Sequence, residues 1–163
     1  TVRKRIQIAN FADACNDCGN CDVFCPEDGG PYIEKPRFFG SLEAWHRAAP
    51  LAGFVLAADG RGGAGLVLHG RFPGGIFALR ADEVANVDLF STGPVIMRVD
   101  RQTCGVLAAV FAPSVTRDGV DGRGSDVIRI DLSYYVAMRA LLDALKRPER
   151  INFVNTAFAG MTS

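Results

Sequence analysis

The chain has 163 residues, 48% hydrophobic and 22% charged, and its 18 Lys plus Arg balance its 18 Asp plus Glu. The length suits one domain or one domain with a small appendage, and zero formal charge leaves no electrostatic footprint for nucleic acid. The basic start Thr1-Val2-Arg3-Lys4-Arg5 leads into no apolar signal-type core, and the longest apolar run, residues 105–113, is too short to cross a bilayer. A soluble, cytoplasmic chain is therefore expected. Thr1 stands where an initiator Met is usual, which fits either processing before a small residue or a piece of a longer polypeptide.

In chain order, the alternation Arg5-Ile6-Gln7-Ile8 predicts a short strand. Residues 11–40 are rich in Cys, Gly, Pro and Asp, the composition of a loop wrapped round something other than an apolar core. Ser41 offers an N-cap for a short helix with Leu42 and Trp45 on one face and Pro50 as its stop. From Gly53 the pattern becomes short apolar runs between turn residues: GFVLAAD, GLVLHGRF, GIFALRA, PVIMRVD and GVLAAVFA. These predict strands. Residues 117–126 read as a polar loop, and DVIRID as one more strand. A final helix is expected from Ser133, with Tyr134, Met138, Leu141, Leu142 and Leu145 on its apolar face and Pro148 as its stop. The expected class is α+β, with a ferredoxin-type cluster-binding segment over residues 1–40 and a β-rich domain with a C-terminal amphipathic helix over 41–163.

Four of the five cysteines, Cys15, Cys18, Cys21 and Cys25, fall in one short stretch. Thiols so close in sequence do not make a disulfide framework, which spreads its bridges along the chain. With Pro26 they form C-x2-C-x2-C-x3-C-P, the bacterial ferredoxin pattern, so all four are candidate ligands of a [4Fe–4S] cluster. Short gaps let one loop wrap the corners of a cubane, Gly19 opens backbone angles closed to other residues, and Pro26 stiffens the exit. Structural zinc modules instead bring together two distant cysteine pairs. In two-cluster ferredoxins the cysteine before Pro ligates the other cluster. Cys25 thus either closes this site or serves a neighbouring one, and Cys104, in Gln-Thr-Cys-Gly-Val-Leu, is either a further ligand or a buried, inert thiol.

Between Ile6 and Glu34 lie Asp13, Asp17, Asp22, Glu27, Asp28 and Glu34, with no Lys or Arg. Negative neighbours oppose adding an electron, so these acids are expected to lower a cluster's potential and to steer a basic partner. Elsewhere the signals are weak. Gly60-Arg-Gly-Gly-Ala-Gly65 precedes another strand-like run and reads as a hairpin turn, since a dinucleotide fingerprint needs a helix there. Residues 118–126 lack the ligand spacing of an EF-hand. His46 and His69 belong to no recognisable catalytic set.

The run Asn10-Phe-Ala-Asp-Ala-Cys-Asn-Asp-Cys-Gly-Asn-Cys-Asp-Val-Phe-Cys-Pro26, followed by Gly-Gly-Pro-Tyr-Ile-Glu-Lys-Pro, resembles the C-terminal iron–sulfur segment of the selenate reductase iron–sulfur subunit family. Those are large flavoproteins related to the glutamate synthase small subunit and dihydropyrimidine dehydrogenase. The resemblance is close over residues 8–40 and only general in outline beyond. It implies that Cys15, Cys18, Cys21 and Cys25 are the family's second cysteine motif. It also implies an earlier cysteine motif and binding regions for FAD and NAD(P)H, on other segments or subunits.

The leading expectation is an electron-transfer segment of a larger, flavin-dependent oxidoreductase, with no catalytic site of its own. The alternative is a binding or assembly module with a structural cluster or zinc and a partner-docking β domain. The loop's few apolar side chains, Phe11, Val23, Phe24 and Tyr32, are expected at a contact with a segment carrying another cysteine motif and a flavin.

Overall fold

A computed structural model of the chain describes residues 9–24, 30–60, 65–111, 129–147 and 153–154. The glycine-bounded apolar runs become β3 (Gly53–Ala58), β4 (Leu66–Phe72), β5 (Gly75–Asp82), β7 (Val95–Asp100) and β8 (Val106–Phe111). Between the third and fourth of these lies β6 (Val87–Ser91), which the sequence pattern did not show. It is only five residues long and carries an aspartate inside an otherwise apolar stretch. Successive members of these six strands pair antiparallel.

Side chains alternate between the two faces of a strand, and the register aligns one face into a continuous apolar row. Leu56, Leu68, Leu79, Phe90 and Met97 stand opposite one another across β3 to β7. Each is almost wholly buried. Against this row packs α4 (Ser133–Leu145), through Tyr135, Met138, Leu142 and Leu145. Burying a side chain of this size contributes about 1.5–3 kcal/mol, so the row and the helix face together form the principal core.

Two further short strands extend the sheet: β1 (Asn10–Phe11) pairs parallel with β2 (Arg37–Phe39), which pairs parallel with β3. The result is one mixed sheet of eight strands in sequence order, and with its helices the fold is α+β. Residue 40, the boundary read from composition, lies in the connection between β2 and β3, two strands of this sheet. Phe38 joins the core under α4, whereas its neighbour Phe39 faces the other side and packs with Val55 and Trp45. Trp45 belongs to α3 (Leu42–Arg47), which Ser41 caps by accepting the Ala44 N–H at 3.1 Å. Its indole N–H donates to Gly53 O at 3.1 Å, and the Arg71 guanidinium lies 4.2 Å from the ring centre. Arg71 is itself buried, and it donates to Trp45 O and Leu51 O at 2.9 and 2.8 Å.

The expected final helix is α4, but its start differs in detail. Asp131, not Ser133, supplies the oxygen there, accepting the Ser133 N–H at 2.8 Å. Tyr135 is fully buried, while Tyr134 is partly buried and packs on Phe72 and Phe77. The described residues of DVIRID, Arg129 to Asp131, are not in a strand. The expected strand at 5–8, the polar loop at 117–126 and the stop at Pro148 lie outside the described residues. No helix is long and apolar enough to cross a membrane, among the described residues.

The aspartate inside β6 explains why a charge is tolerated in the core. Asp88 is fully buried, accepts from Tyr135 Oη at 2.9 Å and from Arg101 Nη1 at 2.5 Å, and lies 3.8 Å from Arg139 Nε. Arg101 also reaches Asp143 at 2.7 Å. A buried carboxylate is stable only with such partners, and removing one partner of a buried pair costs about 3–5 kcal/mol. Asp88→Ala should therefore lower unfolding free energy by about 3 kcal/mol and Tyr135→Phe by about 1 kcal/mol. Urea denaturation measures both, and a change under about 0.5 kcal/mol for Asp88→Ala would show that the network is not a stabilising element.

His69 on β4 is half-buried, and its pKa lies below the ordinary 6.5, first because of burial and second because of nearby His46. A histidine depressed in this way favours the neutral form in the fold. Its contribution is full above the unfolded value and falls away as pH drops through the lower folded one. His69→Gln should lessen the fall in urea midpoint between about pH 7 and about pH 5. Equal falls in both proteins would refute this role.

Candidate metal centre

The cysteines lie in the crossover between β1 and β2. This crossover is not the irregular loop its composition suggests: it holds a 3-10 turn at Ala12–Ala14, α1 (Asn20–Phe24) and α2 (Pro31–Glu34). Cys15 closes the 3-10 turn, its N–H donating to Ala12 O at 3.1 Å. Asp17 and Gly19 both take positive φ, 51° and 75°, bending the chain sharply on each side of Cys18. Asparagine and aspartate tolerate this region through local hydrogen bonding, and glycine enters it freely. A Cβ at Gly19 would meet only Tyr32 Oη, at 3.9 Å, so backbone conformation and not crowding calls for glycine there. Asn16 Oδ1 accepts the Cys18 N–H at 3.3 Å, and the Asp22 N–H donates to Gly19 O at 2.9 Å, leading into α1 with Cys21 in its first turn.

Cys15, Cys18 and Cys21 are free thiols, the first and third half-buried and the second exposed. The Cys15 thiol donates to Asp17 Oδ1 at 3.2 Å. Cys25 lies outside the described residues. Thiolates of this kind are the soft ligands of iron–sulfur centres. One tetrahedral ion gathers all its ligands on itself, whereas a cubane takes each thiolate on a different iron. Among the described residues no three of His, Cys, Asp and Glu are gathered as for a single ion. Cys15, Cys18 and Cys21, with Cys25, are the residues that would hold a cluster.

Asp13, Asp17 and Asp22 are exposed, yet each has a partner. Asp13 Oδ2 accepts the Gly40 N–H at 3.0 Å, tying the 3-10 turn to the end of β2. Asp22 Oδ2 accepts from Tyr32 Oη at 3.2 Å. The Tyr32 phenol is raised above its ordinary 10, chiefly by that bond, with burial and the nearby Asp22, Cys21 and Asp17 adding. Gly30 makes this contact possible, since a Cβ there would run into Asp22 Oδ1 and lie 2.6 Å from Tyr32 Cε1. Asp17 Oδ1 faces Arg37 Nη2 at 3.7 Å, and the same nitrogen donates to Tyr32 O at 2.7 Å. Arg37 is the residue that sequence reasoning missed as part of the site, and Tyr32 was read there only as one of the loop's apolar side chains. Arg37 follows the cysteine run and arrives by the parallel pairing of β2 with β1, which no motif announces.

The other candidates sort differently. Phe11 is partly buried, packs on the protein's own core and stacks on Phe153 at 5.8 Å. Val23, Phe24 and Ile33 are largely exposed. Cys104 is exposed, not buried: it has φ 57° in the turn between β7 and β8, with Arg139 Nη1 3.6 Å from its sulfur. That turn and the cysteine crossover belong to opposite ends of the strand order. His46 is exposed and meets Trp45 edge-on at 5.0 Å. The glycine run after β3 leads into antiparallel β4 and no helix, although residues 61–64 are outside the described residues.

Comparison with protein families, with curated proteins and with solved structures finds no match of any of the three kinds.

Replacing Cys15, Cys18 or Cys21 singly with Ser should lower bound iron after anaerobic reconstitution several-fold, because each removes one soft corner ligand. Cys104→Ser should leave iron content unchanged. Wild-type iron in all three motif variants would rule the turn out as a metal centre.

Proposed function

We propose that Cys15, Cys18, Cys21 and Cys25 hold a [4Fe–4S] cluster and that the chain is an electron-transfer segment of a larger, flavin-dependent oxidoreductase. The observation that carries this is the unbroken C-x2-C-x2-C-x3-C-P run together with three free thiols on one tight turn. The wording of the run, which resembles the iron–sulfur segment of the selenate reductase iron–sulfur subunit family, supports a flavin-bearing partner that also carries FAD and NAD(P)H sites. Exposed Val23, Phe24 and Ile33 beside the cysteines suit a surface that is covered in such an assembly. Clustered free thiols suit a reducing, cytoplasmic compartment.

When bound, the cluster supplies one-electron chemistry. The chain's own contribution is to hold four thiolates in place, to set the local charge and to present the site near a partner. Anaerobic purification followed by iron, sulfide and zinc quantitation tests the proposal. About four irons and four sulfides per chain, with a broad visible band that dithionite bleaches reversibly, are expected. A colourless protein holding zinc would overturn it and favour a structural metal in a docking module.

A further inference from the structure

Arg37 is one of the residues that tie the cysteine turn to the sheet. It opens β2, paired with Asn10 of β1 on one side of a strand whose other side pairs with β3, so its backbone is fixed. Its side chain is only 12% exposed, and one nitrogen serves both the Asp17 carboxylate and the Tyr32 carbonyl. Asp17 adjoins Cys18 and accepts the Cys15 thiol, while Tyr32 donates to Asp22, the residue after Cys21. A single guanidinium therefore reaches the neighbourhood of all three thiols through two partners.

Loading a cluster sharpens the need for it. Iron binds thiolate, so the Cys15 proton leaves and its bond to Asp17 is lost. Thiolate and carboxylate then face one another with like charge, in a turn already rich in acid. A half-buried cation fixed on a strand offsets this charge and costs little to reorganise, because it is already in place. We propose that Arg37 is a positioning residue for the metal centre, holding the cysteine turn against β2 and raising the reduction potential of the cluster it carries. This rests on the cluster assignment above and adds the residue that tunes it.

The test compares Arg37→Gln and Arg37→Lys in the full chain, loaded and metal-free. In the loaded protein, Arg37→Gln should shift the reduction equilibrium at least about tenfold toward the oxidised cluster, a fall of about 59 mV for one electron. Arg37→Lys, which keeps the charge, should stay within about threefold of the parent. In the metal-free protein, Arg37→Gln should speed alkylation of Cys15 and Cys18 several-fold at an unchanged urea midpoint, and Arg37→Lys should not. If Arg37→Gln cannot retain iron, retention by Arg37→Lys supports the proposal. Equal loss in both, with lowered urea midpoints, makes Arg37 a strand residue only and overturns it. An unchanged potential together with unchanged alkylation in Arg37→Gln overturns it as well. A parent protein that binds no iron would instead overturn the cluster assignment, and the alkylation comparison would still decide whether Arg37 holds the turn.

Discussion

Parallel strands cannot be joined by a hairpin, and that constraint shapes the N-terminal part of this protein. β1 and β2 lie side by side and run the same way, so the chain leaving Phe11 must travel back past the sheet before Arg37 can begin. In most folds a helix fills such a crossover and hides its apolar face on the sheet. Here its described residues, 12–24 and 30–36, form short turns and single-turn helices that carry cysteines. The same topology that forces a long connection also delivers Arg37 beside the start of that connection. The candidate centre is thus a product of strand direction as much as of its motif.

The sheet has to be rigid for this to work, and its rigidity comes from the other end. The row from Leu56 to Met97 and the buried face of α4 supply apolar burial without direction. Asp88 adds direction: its two oxygens tie β6 to the turn after β7 and to α4 through Arg101, Arg139 and Tyr135. An apolar residue there would bury well but would not fix which turn of the helix meets which strand.

Much of this was legible in the sequence, for identifiable reasons. Five strands announced themselves because glycine and proline bound short apolar runs, and α3 because Ser41 precedes a helical pattern that ends near Pro50. The cysteine run was legible as a candidate site because its thiols are so closely spaced. β6 was not, because the buried Asp88 disguises a core strand as a polar segment, and burial of a charge depends on partners more than ten residues away. Cys104 was misjudged for a related reason. Its apolar neighbours suggested burial, yet Asp100 Oδ1 collects the N–H groups of Gln102 and Thr103 into a tight turn that leaves the thiol outside. The contacts of Arg37 with Asp17 and Tyr32 were likewise hidden, since they follow from strand pairing between segments whose patterns are too short to register.

The placement of Trp45 has a practical consequence. It is the chain's single tryptophan, nearly fully buried between α3 and the sheet, on the face opposite α4. Selectively excited tryptophan fluorescence therefore originates from one side of the molecule, in an indole with Arg71 over its ring and His46 and His69 beside it. Far-ultraviolet circular dichroism has a large contribution from α4, the longest helix among the described residues, on the other side. The two signals bracket the sheet, so coincidence of their unfolding curves reports whether both faces of the protein melt as one cooperative unit.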